Sequence, residues 1–292
     1  MGRVDGDDRT PTMDGALRAP EPILVVDLFP LERAALLDLL GALQAGAWER
    51  ETACAGWAVR DIAAHLVGDD LGRLSRIRDG HRPAARRDGE DLVAFVNRQN
   101  AEWVQAMGRL SPTVLTTLLR VGGAEAQAHF EALDPFAIGG PVSWATGDDP
   151  APVWLDLARE LTERWHHQQQ IRDAVDAPAL IDPRVFGPVI ATFAHALPRT
   201  FVAVDRPQGT VITLVVSGES GGAWSIVRDG EAWRLFVGRP AGPAAAEAEL
   251  TQDDYWRLVT KGMTPAVAEA RARLSGDLEA ARHLLRTVAI IA

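Results

Sequence analysis

From Asp27 onward, apolar residues recur at three- and four-residue intervals: Leu28, Leu31, Ala35, Leu36, Leu39, Leu40 and Leu43. That spacing puts them on one face of an α-helix. The break Glu51–Trp57 (ETACAGW) precedes a second helical stripe from Val59 to about Ile77, carried by Val59, Ile62, Ala63, Leu66 and Leu71. Asp61 lies in its first turn, where the helix dipole favours a carboxylate. Asp88–Met107 predicts a third helix, with Leu92, Phe95, Val96, Trp103 and Met107 on one face. Pro112 then marks a boundary before a further short helix. Asp134–Pro152 is rich in Gly and Pro and reads as loop. Trp154–Val175 predicts a long helix, ended by Asp176-Ala177-Pro178.

After Asp182 the texture changes. A helical stretch from Val185 to about Phe201 leads into three β-rich runs, Thr210–Ser217 (TVITLVVS), Ala223–Val227 and Ala232–Val237. Gly218–Gly222 and the hairpin dipeptide Asp229-Gly230 separate them, which predicts antiparallel pairing. Ala244–Leu250 alternates small and acidic residues and reads as a fourth, edge-like strand. Thr251–Leu258, Pro265–Leu274 and Asp277–Leu285 read as helices. Helices first and a meander with helices afterwards predict an α+β protein of two domains. Residues 1–20 are expected to be a flexible leader, 21–180 a four-helix bundle able to fold alone, and 181–292 a smaller α/β domain with an antiparallel sheet. A length of 292 residues, beyond what one core usually organises, fits this division.

Composition narrows the partners. Hydrophobic residues make up 47% and charged residues 24%, an ordinary globular balance. A net charge of -10, with arginines spread among acids, argues against nucleic acid. Cys54 is the single cysteine, so no internal disulfide forms, and a reducing cytoplasm fits. The first residues lack the apolar run of a secretory signal. No apolar run reaches the roughly 20 residues that span a bilayer. Lys261 is the only lysine beside many arginines, a composition of high-GC genomes.

The stretch Arg159–Asp173 (RELTERWHHQQQIRD) carries the chemistry. Glu163 and His167 are four apart and project from one helix face; His166, three after Glu163, reaches the same region. Spacing leaves the choice of histidine open, and it equally describes an ordinary helical ion pair. In helical bundles, inward carboxylates and imidazoles from facing helices hold divalent metals. His65, in the apolar stripe beside Ile62 and Leu66, is the natural third ligand. Two histidines and one glutamate leave coordination positions open, as in catalytic sites. Cys54 reads as a packed turn residue, with no histidine beside it to act as base. Trp57 and Trp165 stand next to ligand-bearing segments. One of Gln168, Gln169 and Gln170 is placed to orient a ligand. Arg228, Arg234 and Arg239 are candidates to reach an anionic substrate from the second domain.

Two segments, Thr52–Leu66 (TACAGWAVRDIAAHL) and Glu160–Ala174 (ELTERWHHQQQIRDA), resemble the mycothiol-dependent maleylpyruvate isomerase family within the DinB-like superfamily. In that family a Thr-x-Cys-x-Gly-Trp turn precedes the first metal histidine and a Glu-x-x-x-His pair supplies the other ligands. The resemblance therefore implies the set His65, Glu163 and His167, and passes over His166. Ala58 departs from the pattern, since family members usually carry a helix-capping Ser or Thr there. Asp253–Leu258 (DDYWRL), Gly276-Asp277 and the closing Val288–Ala292 extend the resemblance to a sterol-carrier-like C-terminal domain.

The family implies a divalent metal, zinc first, with nickel, cobalt or iron also compatible, and mycothiol or a similar small thiol held as thiolate. It implies an isomerase or S-transferase acting on a small electrophile. The expected partners are that thiol and that substrate, with no nucleic acid and no membrane, on a cytoplasmic monomer or homodimer. The arginine-rich composition fits an actinobacterial source. Two other readings compete: a non-catalytic binding protein whose metal staples the bundle, and a metal hydrolase using bound water.

Overall fold

The computed structural model describes residues 17–82 and 85–291. Its N-terminal part is helical: α1 (Phe29–Ala42), α2 (Val59–Arg73), α3 (Leu92–Met107), α4 (Pro112–Glu131), the short α5 (Ser143–Thr146) and the long α6 (Val153–Ala174). Then come α7 (Pro183–Ala194), α8 (Leu197–Thr200), β1 (Val211–Ser217), β2 (Gly222–Asp229), β3 (Ala232–Val237), β4 (Ala246–Thr251), α9 (Gln252–Val259), α10 (Pro265–Arg271), β5 (Arg273–Gly276) and α11 (Leu278–Leu284). The α+β expectation holds, with a helical part followed by a five-stranded sheet. No helix among the described residues is long and apolar enough to cross a membrane.

Helices α1, α2, α4 and α6 form the bundle, and α3 packs outside α2. Two features make the α2 packing close. Trp103 on α3 donates its indole N–H to the Ala64 carbonyl at 2.8 Å. Its ring lies against Gly68, where a Cβ would meet Trp103 Nε1 at 2.6 Å. Helix α4 is a full 20 residues rather than short. Ser111 caps it and Pro112 occupies its first turn, as helix starts favour. Gly122, in its middle, is no breaker: it admits Asp70 of α2, which an added Cβ would touch at 3.3 Å.

Asp70 is fully buried. It takes Arg33 of α1 in a two-pronged bond, at 2.7 and 3.0 Å, and Arg164 of α6 at 2.9 Å. Arg33 in turn donates to the Leu119 carbonyl of α4 at 2.7 Å. One carboxylate thus ties all four bundle helices. The Arg164 guanidinium lies 5.6 Å from the ring centres of both Phe29 and Phe130, whose faces favour a cation. It also pairs with Glu160, which takes Arg73 and Arg159 as well.

In the sheet the order is β3-β2-β1-β4-β5. β1, β2 and β3 pair antiparallel, as do β4 and β5, while β1 and β4 run parallel. β4 is therefore interior rather than an edge. Its alternation reflects a covered face, with Ala246, Ala248 and Leu250 buried, and α11 packs on it. The helix expected through Leu274 ends at Arg271, because Arg273–Gly276 turns back to cover the β4 edge. The leader expected for residues 1–20 lies mostly outside the described residues; its end is fixed, since Arg18 pairs antiparallel with Val237 of β3.

The main core runs across the chain boundary near residue 180. Trp165 of α6 stacks on Phe186 of α7 at 4.7 Å and meets Trp256 of α9 edge-on at 5.3 Å. It also donates to the Leu180 carbonyl at 2.8 Å. A chain ending at Ala177 would bare that face of α6, so the two parts are proposed to fold as one cooperative unit. Replacing Asp70 by Ala leaves Arg33 without its buried counter-charge and Arg164 with Glu160 alone. The expected loss is about 3–5 kcal/mol of unfolding free energy, read from the urea midpoint at constant slope. A loss under about 1 kcal/mol would show that the charges are satisfied elsewhere.

Candidate metal centre

His65 lies mid-way along α2, whose start is held by Asp61: its carboxylate accepts the Ala58 N–H at 2.9 Å. Ala58 itself offers no side-chain acceptor, so the back-bond from Asp61 replaces the missing cap. The preceding turn is closed by Trp57 N–H to the Cys54 carbonyl at 3.0 Å and Thr52 N–H to the Trp57 carbonyl at 3.0 Å. It places the Trp57 ring 5.2 Å from that of His65. Glu163 and His167 project from α6, one turn apart. Asp70 and Arg164, which tie α2 to α6, are chain neighbours of Asp69 and Glu163. That ion pair sets the register that brings His65 opposite the other two.

One ligand atom each from His65, Glu163 and His167 lies within 4.8 Å of the others. Glu163 Oε1 is 3.1 Å from His167 Nε2 and 3.7 Å from His65 Nε2. The two imidazole rings meet edge to face with centroids 4.6 Å apart. His65 and His167 are buried, at 4% and 8% exposure, while Glu163 is half-buried.

His65 Nε2 is buried without a hydrogen-bond partner, and so is Asp69 Oδ2, 3.3 Å away. Two carboxylates beside two imidazoles form an electron-rich pocket that a dication would neutralise. The separations lie near the roughly 3.3–3.5 Å between neighbouring ligands when each sits about 2.0–2.2 Å from a tetrahedral ion. The residues fit a divalent metal. Asp69 lies beside His65 but is not among the three residues whose donor atoms converge. Sequence reasoning passed over it, although its placement four residues after His65 was readable.

Charge at the site follows from this packing. Burial opposes a charge on His65, but the nearby Asp69 and Glu163 carboxylates outweigh it and raise its pKa above the ordinary 6.5. Burial also pushes Glu163 up, yet its bond to His167 and the nearby His65 imidazole carry it well below the usual carboxylate range. Burial raises the Asp69 carboxyl against the pull of His65.

The other candidates separate clearly. His166 is not one of the three convergent residues: its ring centre lies 5.0 Å from that of His167 and 6.2 Å from that of Trp256, its Nε2 lies against Gln170, and burial holds its pKa down to about 3. Gln168 donates to Glu32 of α1 at 2.7 Å, and Gln169 accepts the Leu180 N–H at 3.2 Å. Only Gln170 touches a triad member, through His167 Nδ1 at 2.8 Å. Trp165 is core, while Trp57 flanks the site. Burial, then the Glu163 charge, pushes the Cys54 thiol up, as suits a packed turn residue and not a nucleophile. Arg228, Arg234 and Arg239 pair with Asp205, Asp229 and Glu247.

Residues 29–172 match the family described as mycothiol maleylpyruvate isomerase N-terminal domain. The fold is similar to a crystal structure of the mycothiol-dependent maleylpyruvate isomerase, at 14% identity and a TM-score of 0.51, over 86% of this chain and 91% of that one. A histidine-to-alanine variant of that isomerase superposes with a TM-score of 0.50 over the same shares, also at 14% identity. At such identity the likeness is one of fold. No curated protein matches the sequence.

Elemental analysis of purified protein should find one divalent metal per chain, with most of it lost in His65→Ala and in His167→Ala and most retained in His166→Ala. Full occupancy in the first two variants would refute the assignment. Metal affinity should also fall with acidity, because a ligand must be deprotonated while the metal-free site favours protonated His65. The fall should set in above pH 6.5, on the alkaline side of an ordinary histidine, at about tenfold per unit for each competing proton. An affinity flat from pH 8 to about pH 6 would show that His65 is not a ligand.

Proposed function

We propose, for a chain whose residues 29–172 match the mycothiol maleylpyruvate isomerase N-terminal domain family, a metal- and thiol-dependent isomerase or S-transferase acting on a small electrophile. The observation that carries this reading is the convergence of two imidazoles and one carboxylate on a single point. Three protein ligands leave room for one exogenous group, the pattern of catalytic rather than structural sites. A divalent cation held there would stabilise a thiol in its thiolate form at neutral pH.

The protein's own residues supply the rest. His65 and His167, buried on facing helices, fix two directions of approach and leave little freedom to reorganise. Glu163 adds negative charge that favours a dication over a monovalent ion. The Trp57 ring, 5.2 Å from that of His65, walls that side of the site. The thiol proposed is mycothiol, after which both the matching family and the similar isomerase are named. With the cofactor as nucleophile, no side chain needs to form a covalent bond to substrate. Zinc is the proposed metal, since borderline nitrogen and oxygen donors suit it.

Activity should be measured with mycothiol and maleylpyruvate, and with mycothiol and a panel of epoxides and haloalkanes, on metal-loaded, metal-stripped and His167→Ala protein. Turnover of at least one electrophile is expected, falling at least about 100-fold on stripping, as loss of several kcal/mol of charge stabilisation requires. Turnover of the panel but not of maleylpyruvate would narrow the function to thiol transfer. Turnover unchanged without thiol would replace this reading with a hydrolase. Neither thiol binding nor turnover would leave a metal-stapled binding protein.

A further inference from the structure

We propose that Gln170 is the positioning residue that makes Nε2 the metal-binding nitrogen of His167, and that His166 holds Gln170 in place. The inference rests on the metal reading of the triad. Gln170 Oε1 lies 2.8 Å from His167 Nδ1, and Gln170 Nε2 lies 3.1 Å from His166 Nε2. These side chains are buried, at 5% exposure for His166, 8% for His167 and 9% for Gln170, so water does not substitute freely for either bond.

A carbonyl oxygen can only accept and an amide nitrogen can only donate. Against Gln170 Oε1, His167 Nδ1 must carry a proton whether the ring is neutral or charged. The proton released to a metal is then the one on Nε2, the nitrogen 3.1 Å from Glu163. The reversed amide would set its NH2 against Nδ1, strip that nitrogen of its proton and force one onto Nε2, which could no longer ligate. On the far side the amide nitrogen needs an acceptor, a role His166 Nε2 takes with the ring proton on Nδ1, which has no partner of its own. His166 is thus a support at one remove from the metal, and its adjacency to His167 is the reason sequence spacing alone could not separate the two.

The test is zinc affinity by chelator competition in wild type, Gln170→Leu, Gln170→Glu and His166→Ala. Gln170→Leu keeps the bulk and removes the acceptor; it should weaken binding about 10- to 100-fold, the usual effect of losing such a partner. Gln170→Glu restores an acceptor for Nδ1 and should bind within a few-fold of wild type. His166→Ala should cost only a few-fold. A packing role would give the opposite order, with Leu tolerated and Glu not. Wild-type affinity in Gln170→Leu, or equal weakness in Leu and Glu, overturns the proposal.

Nitrogen-detected NMR on zinc-loaded wild type needs no variant. The His167 ring proton should sit on Nδ1 and exchange slowly, and a proton on Nε2 with the metal at Nδ1 overturns the proposal whatever the variants do. Wild type that binds no zinc at all would instead sink the metal reading, and this inference with it.

Discussion

One buried carboxylate, Asp70, organises the helical part. It is bonded to Arg33 of α1 and Arg164 of α6, and through Arg33 to the α4 backbone. Burying an ion cluster stabilises little in itself, because desolvation offsets most of the Coulombic gain. Its effect is on arrangement. A shifted register between α2 and α6 would leave a charge unpaired in the core, which is costly. Apolar packing tolerates such slips more readily, since Leu and Ala surfaces are interchangeable at modest cost. The charges therefore fix what the hydrophobic stripes alone would leave loose.

The site inherits its geometry from that constraint. His65 lies five residues before Asp70 on α2, and Glu163 immediately precedes Arg164 on α6. Fixing the Asp70–Arg164 pair fixes how far His65 stands from Glu163 and His167. Helix α6 can do this because it is surrounded, with α1 and α2 on one side and α7 on the other. Its polar residues are buried in consequence: Glu160, Arg164, His166, His167, Gln168, Gln169 and Gln170. Arg164 reaches Asp70 of α2 and Gln168 reaches Glu32 of α1, while His166, His167 and Gln170 bond among themselves, so that a helix with a polar sequence serves as the centre of the molecule.

The apolar periodicity made α1, α2, α6 and the β1–β3 meander legible in the sequence, because each buries one face or one alternating set against a neighbour. The triad was legible as far as an acid and two histidines within one turn of α6. The choice of His167 over His166 needed the family resemblance; in the structure His167 Nε2 lies 3.1 Å from Glu163, whereas His166 Nε2 lies against Gln170. Other features were hidden for identifiable reasons. Gly122 and Gly123 in α4 look like a helix break, yet the first lets Asp70 approach and the second lies under the Arg33 guanidinium. The small-and-acidic alternation of β4 looks like an edge strand, but β5 pairs outside it from the far end of the chain. The continuity of the core past residue 180 depends on Trp165 and Trp256, 91 positions apart in the sequence, and no local pattern announces such a contact.

The central claim is an open metal site built from two imidazoles and a carboxylate that admits a thiol. X-ray absorption at the metal edge, recorded on loaded protein before and after addition of the thiol, tests it most directly. The account predicts a first shell of nitrogen and oxygen with the multiple-scattering signature of two imidazoles, into which one sulfur enters at about 2.3 Å when thiol is added. A first shell lacking imidazole, or one unchanged by saturating thiol, would contradict it.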